Sequence, residues 1–265
     1  MPDLTCAVDD YVAVVTLNRP QKANALTDEM FSGLVEFYTE AAARPDIRVV
    51  VLTGAGRHFC AGGDVKRPQG EGLGGPDRSA AIARERVKTL VQTVPKALYN
   101  LDKPVIAAVN GAAVGAGLDL ALMCDLRFGA QSATFAAAYI RVGLIPGQGG
   151  SYFLPRLVGL PKALELLLTG DRIDAAEAYR IGMINRLYPD QDLMPSTLEF
   201  AARLAASPPV HVQLTKRAVY SSLTSTLDTS LELSASHMAI VQSLEDSREA
   251  RAAWLEHRPA TFTGR

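Results

Sequence analysis

A single carboxylate beside a cluster of glycines is the feature of this chain best suited to chemistry. Residues 105–125 begin as an apolar, β-branched stretch, pass through Gly115 and Gly117, and continue with a helix-like pattern in which Asp119 has apolar neighbours. A strand, a glycine turn and a helix start direct bare backbone N–H groups towards one point, where they can stabilise a developing negative charge. The segment therefore predicts an oxyanion hole beside Asp119, which is a candidate proton-transfer group. The alternative is a carboxylate that only satisfies backbone donors at a helix start.

The composition limits the classes of protein to consider. The chain has 265 residues, enough for one large domain or two small ones, with 48% hydrophobic and 21% charged residues. Its net charge of -1 gives no support for binding to nucleic acid or to an anionic membrane surface. No apolar run reaches the roughly 18 residues that span a bilayer. The N-terminal residues resemble no secretory signal, so we expect a cytoplasmic protein.

The cysteines and histidines predict no metal site. Cys6, Cys60 and Cys124 are widely spaced and odd in number, so they form neither a metal motif nor a disulfide framework. They fit a reducing compartment, in which they would be small core residues. His211, His237 and His257 show no metal-ligand spacing with one another.

The elements that must position the glycine segment can be read from the hydrophobic pattern. Strands are predicted at 12–17, 48–53, 59–63 and 104–109, and a second glycine-rich turn at 143–150 leads into a helix at 151–158. Thr27 should cap a helix that runs to about Ala43. Helices dominate the last third, apart from a short strand at 183–187. We expect an α/β core over residues 1–190 and a helical region over 191–265.

Several stretches, taken in order, resemble the crotonase (enoyl-CoA hydratase/isomerase) superfamily. They are residues 18–26, 59–66, 109–125, 143–150 and 168–185, together with Lys216. The resemblance implies a spiral of ββα units with a helical C-terminal region used for oligomerisation, as a homotrimer or a dimer of trimers. It also implies an acyl-CoA thioester substrate and no separate cofactor, because coenzyme A is part of the substrate.

The same resemblance assigns residues to the site. The oxyanion donors would be the N–H groups of Gly63 and Ala116. The residues expected to contact coenzyme A or the thioester are Lys22, Ala23, Ala25, Ala61, Gly63, Asp64, Val65, Lys66, Gly115 and Ala116. A Gly- and Pro-rich loop at 67–78 could act as a lid beside the site.

The acid/base positions depart from the hydratase pattern of two glutamates. Asp119 and Tyr139 occupy those positions, and a phenol with a reference pKa of about 10 is a poor base at neutral pH. Hydration of an enoyl-CoA is the first hypothesis, and isomerisation by the single base Asp119 is the second. Hydrolysis, decarboxylation or carbon–carbon cleavage of an unusual acyl-CoA, and non-catalytic acyl-CoA binding, also stay open.

Three other residues admit two interpretations each. His58 could shuttle protons or lie at the surface, and Arg141 could meet an acyl carboxylate or face solvent. Lys66 could touch the coenzyme A phosphates or be solvated. Asp125 is expected to be structural, and Cys60 to be a packing residue.

Overall fold

The computed structural model describes residues 2–64 and 79–265. The described strands are β1 (Leu4–Asp9), β2 (Val12–Leu17), β3 (Val49–Gly54), β4 (Val105–Val109), β5 (Ala113–Val114), β6 (Leu126–Ala130), β7 (Thr134–Ala136), β8 (Arg172–Asp174) and β9 (Arg186–Tyr188). The described α-helices are α1 (Asp28–Ala43), α2 (Ala80–Arg86), α3 (Thr93–Tyr99), α4 (Ala116–Leu122), α5 (Gly150–Val158), α6 (Leu160–Thr169), α7 (Ala175–Arg180), α8 (Leu193–Ala205), α9 (Pro209–Ser222), α10 (Leu227–Ser243) and α11 (Glu245–Glu256).

A mostly parallel sheet forms the centre of the molecule. Its strand order is β1-β2-β3-β4-β6-β9, and β1 pairs with β2 antiparallel whereas the other neighbours are parallel. All residues of β3 and β4 are buried, as expected for strands covered on both faces. A smaller sheet has the strand order β5-β7-β8, and its strand β5 leads directly into the glycine segment. The predicted α/β class is confirmed.

Helix α1 forms where the sequence predicts it. The Thr27 side chain accepts a hydrogen bond from the N–H of Met30 at 3.2 Å, and Asp28 and Glu29 occupy the positive first turn. Its buried face is Met30, Phe31, Leu34, Tyr38 and Ala41, at helical spacing. The helix covers the edge of the central sheet that holds the N-terminal strands.

The predicted strand at 59–63 is wrong. This segment makes only isolated bridges, Cys60 with Ala113 and Gly63 with Leu26, because Gly62 adopts a φ of +98° that interrupts an extended ladder. The strand predicted at 183–187 is also displaced, since Met183 and Ile184 are buried in a turn and β9 begins at Arg186.

The C-terminal helices divide into two kinds. Helix α8 packs on β2, β3, β4 and β6, so it completes the cover of the central sheet. Helices α9 and α10 bury no side chain within the described monomer. The division of the chain at residue 190 stays a prediction. Among residues 2–64 and 79–265, no helix is both long and apolar enough to cross a membrane.

Candidate active site

The turn from β5 into α4 carries one of the two predicted oxyanion donors. Gly115 has a φ of +54° and a ψ of −121°, and α4 begins at the next residue, so the Ala116 N–H belongs to the uncapped first turn of a helix. A Cβ on Gly117 would lie 2.2 Å from the carbonyl oxygen of Cys60. Glycine at 117 therefore lets α4 contact the segment that carries Gly63.

The second segment presents Gly63 from the opposite side. Leu26 donates its N–H to the Gly62 carbonyl at 2.8 Å, and Asp64 donates to the Leu26 carbonyl at 3.2 Å. In such a parallel bridge the N–H of Gly63 itself points away from Leu26. A Cβ on Gly62 would lie 3.5 Å from the Ala116 nitrogen, so this segment lies against the start of α4. The structure thus brings the two predicted donors to one edge.

Asp119 lies in the first turn of α4 and is 1% exposed. Its Oδ2 atom accepts a hydrogen bond from the Tyr139 hydroxyl at 2.8 Å and another from the Gly150 N–H at 3.1 Å. Burial raises the pKa of Asp119 to about 7, although the donors from Tyr139 and from the backbone of Gly150 and Gln148 oppose that rise. A carboxyl with a pKa near neutrality can both take and return a proton.

Tyr139 lies in a 3-10 turn, Ala138–Val142, that follows β7. Its ring edge would be 3.9 Å from a Cβ on Gly115, so the phenol stands between the oxyanion turn and Asp119. Burial and the neighbouring Asp119 carboxylate raise the pKa of Tyr139 well above its usual value of 10. The phenol therefore keeps its proton at neutral pH and acts as a hydrogen-bond donor.

The second glycine-rich turn holds Asp119 in place, a role that the sequence pattern did not predict. The Gly150 N–H is the start of α5, and a Cβ on Gly150 would lie 2.4 Å from Asp119 Oδ1. Glycine is therefore required for the carboxylate to reach the positive end of α5. The paired glycines before a helix indicate a close approach at this turn, but they do not identify Asp119 as the partner.

The two segments predicted to bind coenzyme A, residues 22–25 and 61–64, contact each other. Ala23, with a φ of +49°, accepts a hydrogen bond from the N–H of Ala61 at 2.9 Å, and Lys22 ends a 3-10 turn beside it. Ala25 is almost fully buried, and its carbonyl accepts from Arg19 at 2.6 Å. Arg19, which the sequence analysis did not select, also pairs with Asp64 at 3.3 Å. Val65, Lys66 and the predicted lid at 67–78 lie outside the described residues.

The remaining candidates lie apart from Asp119. Arg141 pairs with Asp171 at 2.7 Å, and both side chains are more than half exposed. Arg141 therefore faces solvent. Burial raises the pKa of the Cys60 thiol to about 12, so it stays protonated as a packing residue. Asp125 is structural, since it accepts from the Val105 N–H, Lys216 and Tyr220. His58 is half-buried and contributes its carbonyl to Asn24.

Comparison with known proteins decides the family. The sequence matches the family model described as enoyl-CoA hydratase/isomerase over residues 8–265. The chain belongs to this family. It is 38% identical to the 1,2-epoxyphenylacetyl-CoA isomerase of Escherichia coli, with 97% of each protein covered. It is 34% identical to the crotonyl-CoA hydratase of Syntrophomonas wolfei, covering 96% of this chain and 95% of that one.

A solved member of the enoyl-CoA hydratase/isomerase family has the same fold throughout. The enoyl-CoA hydratase from Bacillus anthracis superposes with a TM-score of 0.93 at 33% identity, covering 100% of both chains. The resemblance to the crotonase superfamily is therefore confirmed, and so is its fold. Because relatives at this level of identity are named hydratase and isomerase, the chain is an enzyme of this family.

Proposed function

We propose that the protein hydrates a 2-enoyl-CoA, or dehydrates the 3-hydroxyacyl-CoA, with Asp119 as the group that moves the proton. The observation that carries this proposal is the buried Asp119 carboxyl, whose pKa is raised to about 7, beside the two backbone donors. The crotonyl-CoA hydratase among its relatives supports the same reaction.

In the proposed mechanism the thioester oxygen accepts hydrogen bonds from the N–H groups of Gly63 and Ala116. The oxygen of a water molecule adds to Cβ while the Asp119 carboxylate takes one of its protons. The electron pair of the double bond moves onto the thioester oxygen as an enolate. Two preorganised donors can stabilise that charge by about 3 kcal/mol each. The protonated Asp119 then gives its proton to Cα, so one molecule of water has been added.

Tyr139 is proposed to hold Asp119 and the reacting water rather than to act as a base. Its hydroxyl donates to Asp119 Oδ2, and its pKa is raised well above 10. A phenol in this state can donate one hydrogen bond and accept another from water. The carboxylate thereby keeps one orientation towards Cα and Cβ.

Double-bond isomerisation is the second candidate, and the single carboxylate is the observation that favours it. Asp119 would take a proton from Cα of a 3-enoyl-CoA and return it at Cγ, while the dienolate is held by the same two N–H groups. One relative is named an isomerase, although its printed substrate is an epoxide, 1,2-epoxyphenylacetyl-CoA. The two candidates share the hydrogen bonds to the thioester oxygen, and they differ in the substrate and in the atom that Asp119 deprotonates, the water oxygen or Cα.

Product analysis with crotonyl-CoA and a 3-enoyl-CoA separates the candidates. Hydration consumes the conjugated enoyl-thioester absorbance and adds the mass of one water, whereas isomerisation changes the absorbance at constant mass. Hydrolysis, decarboxylation or carbon–carbon cleavage would give free coenzyme A or a smaller acyl group. We expect Asp119→Asn to lower kcat by about 10²–10⁴-fold. Asp46→Asn, at an exposed ion pair, is the control, and unchanged turnover in Asp119→Asn would overturn the assignment.

We also propose a homotrimer or a dimer of trimers, in which the C-terminal helices contact a second copy. Exposed apolar side chains on α10 and α11 support this proposal, among them Leu231 at 59% and Trp254 at 80% exposure. The mass in solution by analytical ultracentrifugation tests it, and a monomer would contradict it. A cytoplasmic location and a reaction without a separate cofactor stay predictions.

A further inference from the structure

A groove lies on the other side of the turn that holds Asp119. It has a volume of about 570 Å³ and runs between α3 and the start of α5. Its walls include Gln92, Lys96, Tyr99, Gln148, Tyr152 and Phe153. The turn at 147–150 separates the groove from Asp119, because the backbone of Gln148 and Gly150 donates towards that carboxylate.

Gln148 is the unusual member of this wall. It is 1% exposed, and neither Nε2 nor Oε1 has a hydrogen-bond partner within the described part of the chain. A buried carboxamide with both atoms unpaired is unfavourable, since it has lost water and gained nothing in return. Gln92, in the same wall, differs because its Nε2 donates to the Gly147 carbonyl at 3.3 Å. The unpaired amide is thus specific to Gln148 among the two glutamines of the groove.

We propose that Gln148 recognises a hydroxyl group on the distal part of the acyl chain. This inference rests on the proposed function, since it takes the thioester to lie at Gly63 and Ala116. A carboxamide offers one donor group and one acceptor, and a single hydroxyl both accepts and donates, so it can satisfy both atoms at once. In the proposal the acyl chain continues past the turn at 147–150 into the groove, and Gln148, which lines the groove, turns its amide towards that chain.

The neighbours of Gln148 favour a hydroxyl on an otherwise apolar group. Tyr99, Tyr152 and Phe153 offer ring surface along the groove, and this surface suits an extended or aromatic acyl chain. A site built to hydrogen-bond a hydroxyl discriminates against the analogue that lacks it, because the analogue leaves the buried amide unpaired. Gln148 is therefore a specificity-determining residue in the proposal, and no proton transfer is assigned to it.

Binding of saturated acyl-CoA esters tests the proposal without any turnover. The dissociation constants of hexanoyl- to dodecanoyl-CoA are compared with those of the same esters carrying a terminal hydroxyl. At one chain length we expect the hydroxylated ester to bind about 10-fold more tightly to the wild type. In Gln148→Met the preference should fall to about one, with the affinity for the plain ester retained. The control Gln131→Met, at an exposed turn, should keep the preference.

Two outcomes overturn the proposal. Either no chain length gives a preference in the wild type, or the preference persists in Gln148→Met. If the Met variant binds neither ester, Gln148→Leu is measured with the same pair, and a preference that persists there overturns the proposal. A hydroxyl preference in a protein that does not turn over crotonyl-CoA would contradict the proposed reaction alone.

Discussion

The phenol oxygen of Tyr139 lies 2.8 Å from Oδ2 of Asp119 and donates its hydrogen to that carboxylate. A pair of carboxylates at these positions would repel each other once both were ionised. A phenol and a carboxylate instead attract, so the charged form of Asp119 is favoured by its neighbour. This relationship suits a site in which one group carries the proton and the other orients it.

Tyr139→Phe should raise the apparent pKa of Asp119, because it removes a donor that stabilises the carboxylate. In the wild type kcat/KM should rise with pH through about 7 as Asp119 loses its proton, and in the variant this rise should occur at higher pH. The pH dependence of enoyl-CoA turnover measures the shift. Tyr179→Phe, at a mostly exposed tyrosine, should leave the profile unchanged. An identical profile in Tyr139→Phe would show that the hydrogen bond does not control the titration.

Gly150→Ala should abolish most activity, since its Cβ would meet Asp119 Oδ1 at 2.4 Å and displace the carboxylate. The loss should appear in kcat more than in the affinity for coenzyme A esters, because the atoms nearest to the new Cβ all belong to the Asp119 side chain. Steady-state kinetics on an enoyl-CoA provide the measurement. Gly33→Ala, within α1, is the control, because the new Cβ there meets only the flexible side chain of Leu4. Full activity in Gly150→Ala would be incompatible with the contact.

The stability of the protein should depend on pH through Asp119. Its pKa is about 7 in the folded protein and 3.8 for an ordinary aspartate, so between these values the folded state keeps a proton that the unfolded chain releases. The free energy of unfolding therefore falls as the pH rises through this window, and the loss is complete above the folded pKa. Relative to Asp119→Asn, the wild type should lose on the order of a few kcal/mol between about pH 4 and pH 8. Urea unfolding at several pH values tests this, and a constant difference would contradict it.

Lys216→Met should destabilise the protein by about 3 kcal/mol, because it leaves the Asp125 carboxylate without its cation in a mostly buried site. The two side chains are only 9% and 15% exposed, and their atoms are 2.6 Å apart. The adjacent Arg217 pairs with Asp102 at the surface, with 56% and 36% exposure. Arg217→Met should therefore cost about 1 kcal/mol or less. Denaturant unfolding compares the two variants. Equal losses in the free energy of unfolding would show that the Lys216–Asp125 pair contributes no more to stability than a surface ion pair.

Helices and strands that are marked by a pattern of neighbouring residues could be predicted from the sequence. The apolar runs of β3 and β4 and the Thr27 cap of α1 depend on neighbouring residues, so they were found in place. The segment at 59–63 was misjudged because its pairing partners, Leu26 and Ala113, are remote in the chain.

Contacts that the tertiary fold creates could not be predicted in this way. Asp119 and Gly150 are 31 residues apart, and nothing in the local pattern of either indicates that they touch. The unpaired amide of Gln148 is similarly invisible in sequence, because burial and the absence of described partners are properties of the packed structure.

The contact of Gly117 with the Cys60 carbonyl has a consequence for how this site can change. It makes the separation of the two backbone segments that carry the predicted donors depend on direct packing. Asp119, the proposed proton-transfer group, comes from the first turn of α4, and Tyr139 and Gln148 come from other segments. Replacing any of these three leaves the packed pair of backbones untouched. The proposed hydrogen bonds to a thioester oxygen can therefore be kept while the reaction and the acyl group are altered around them.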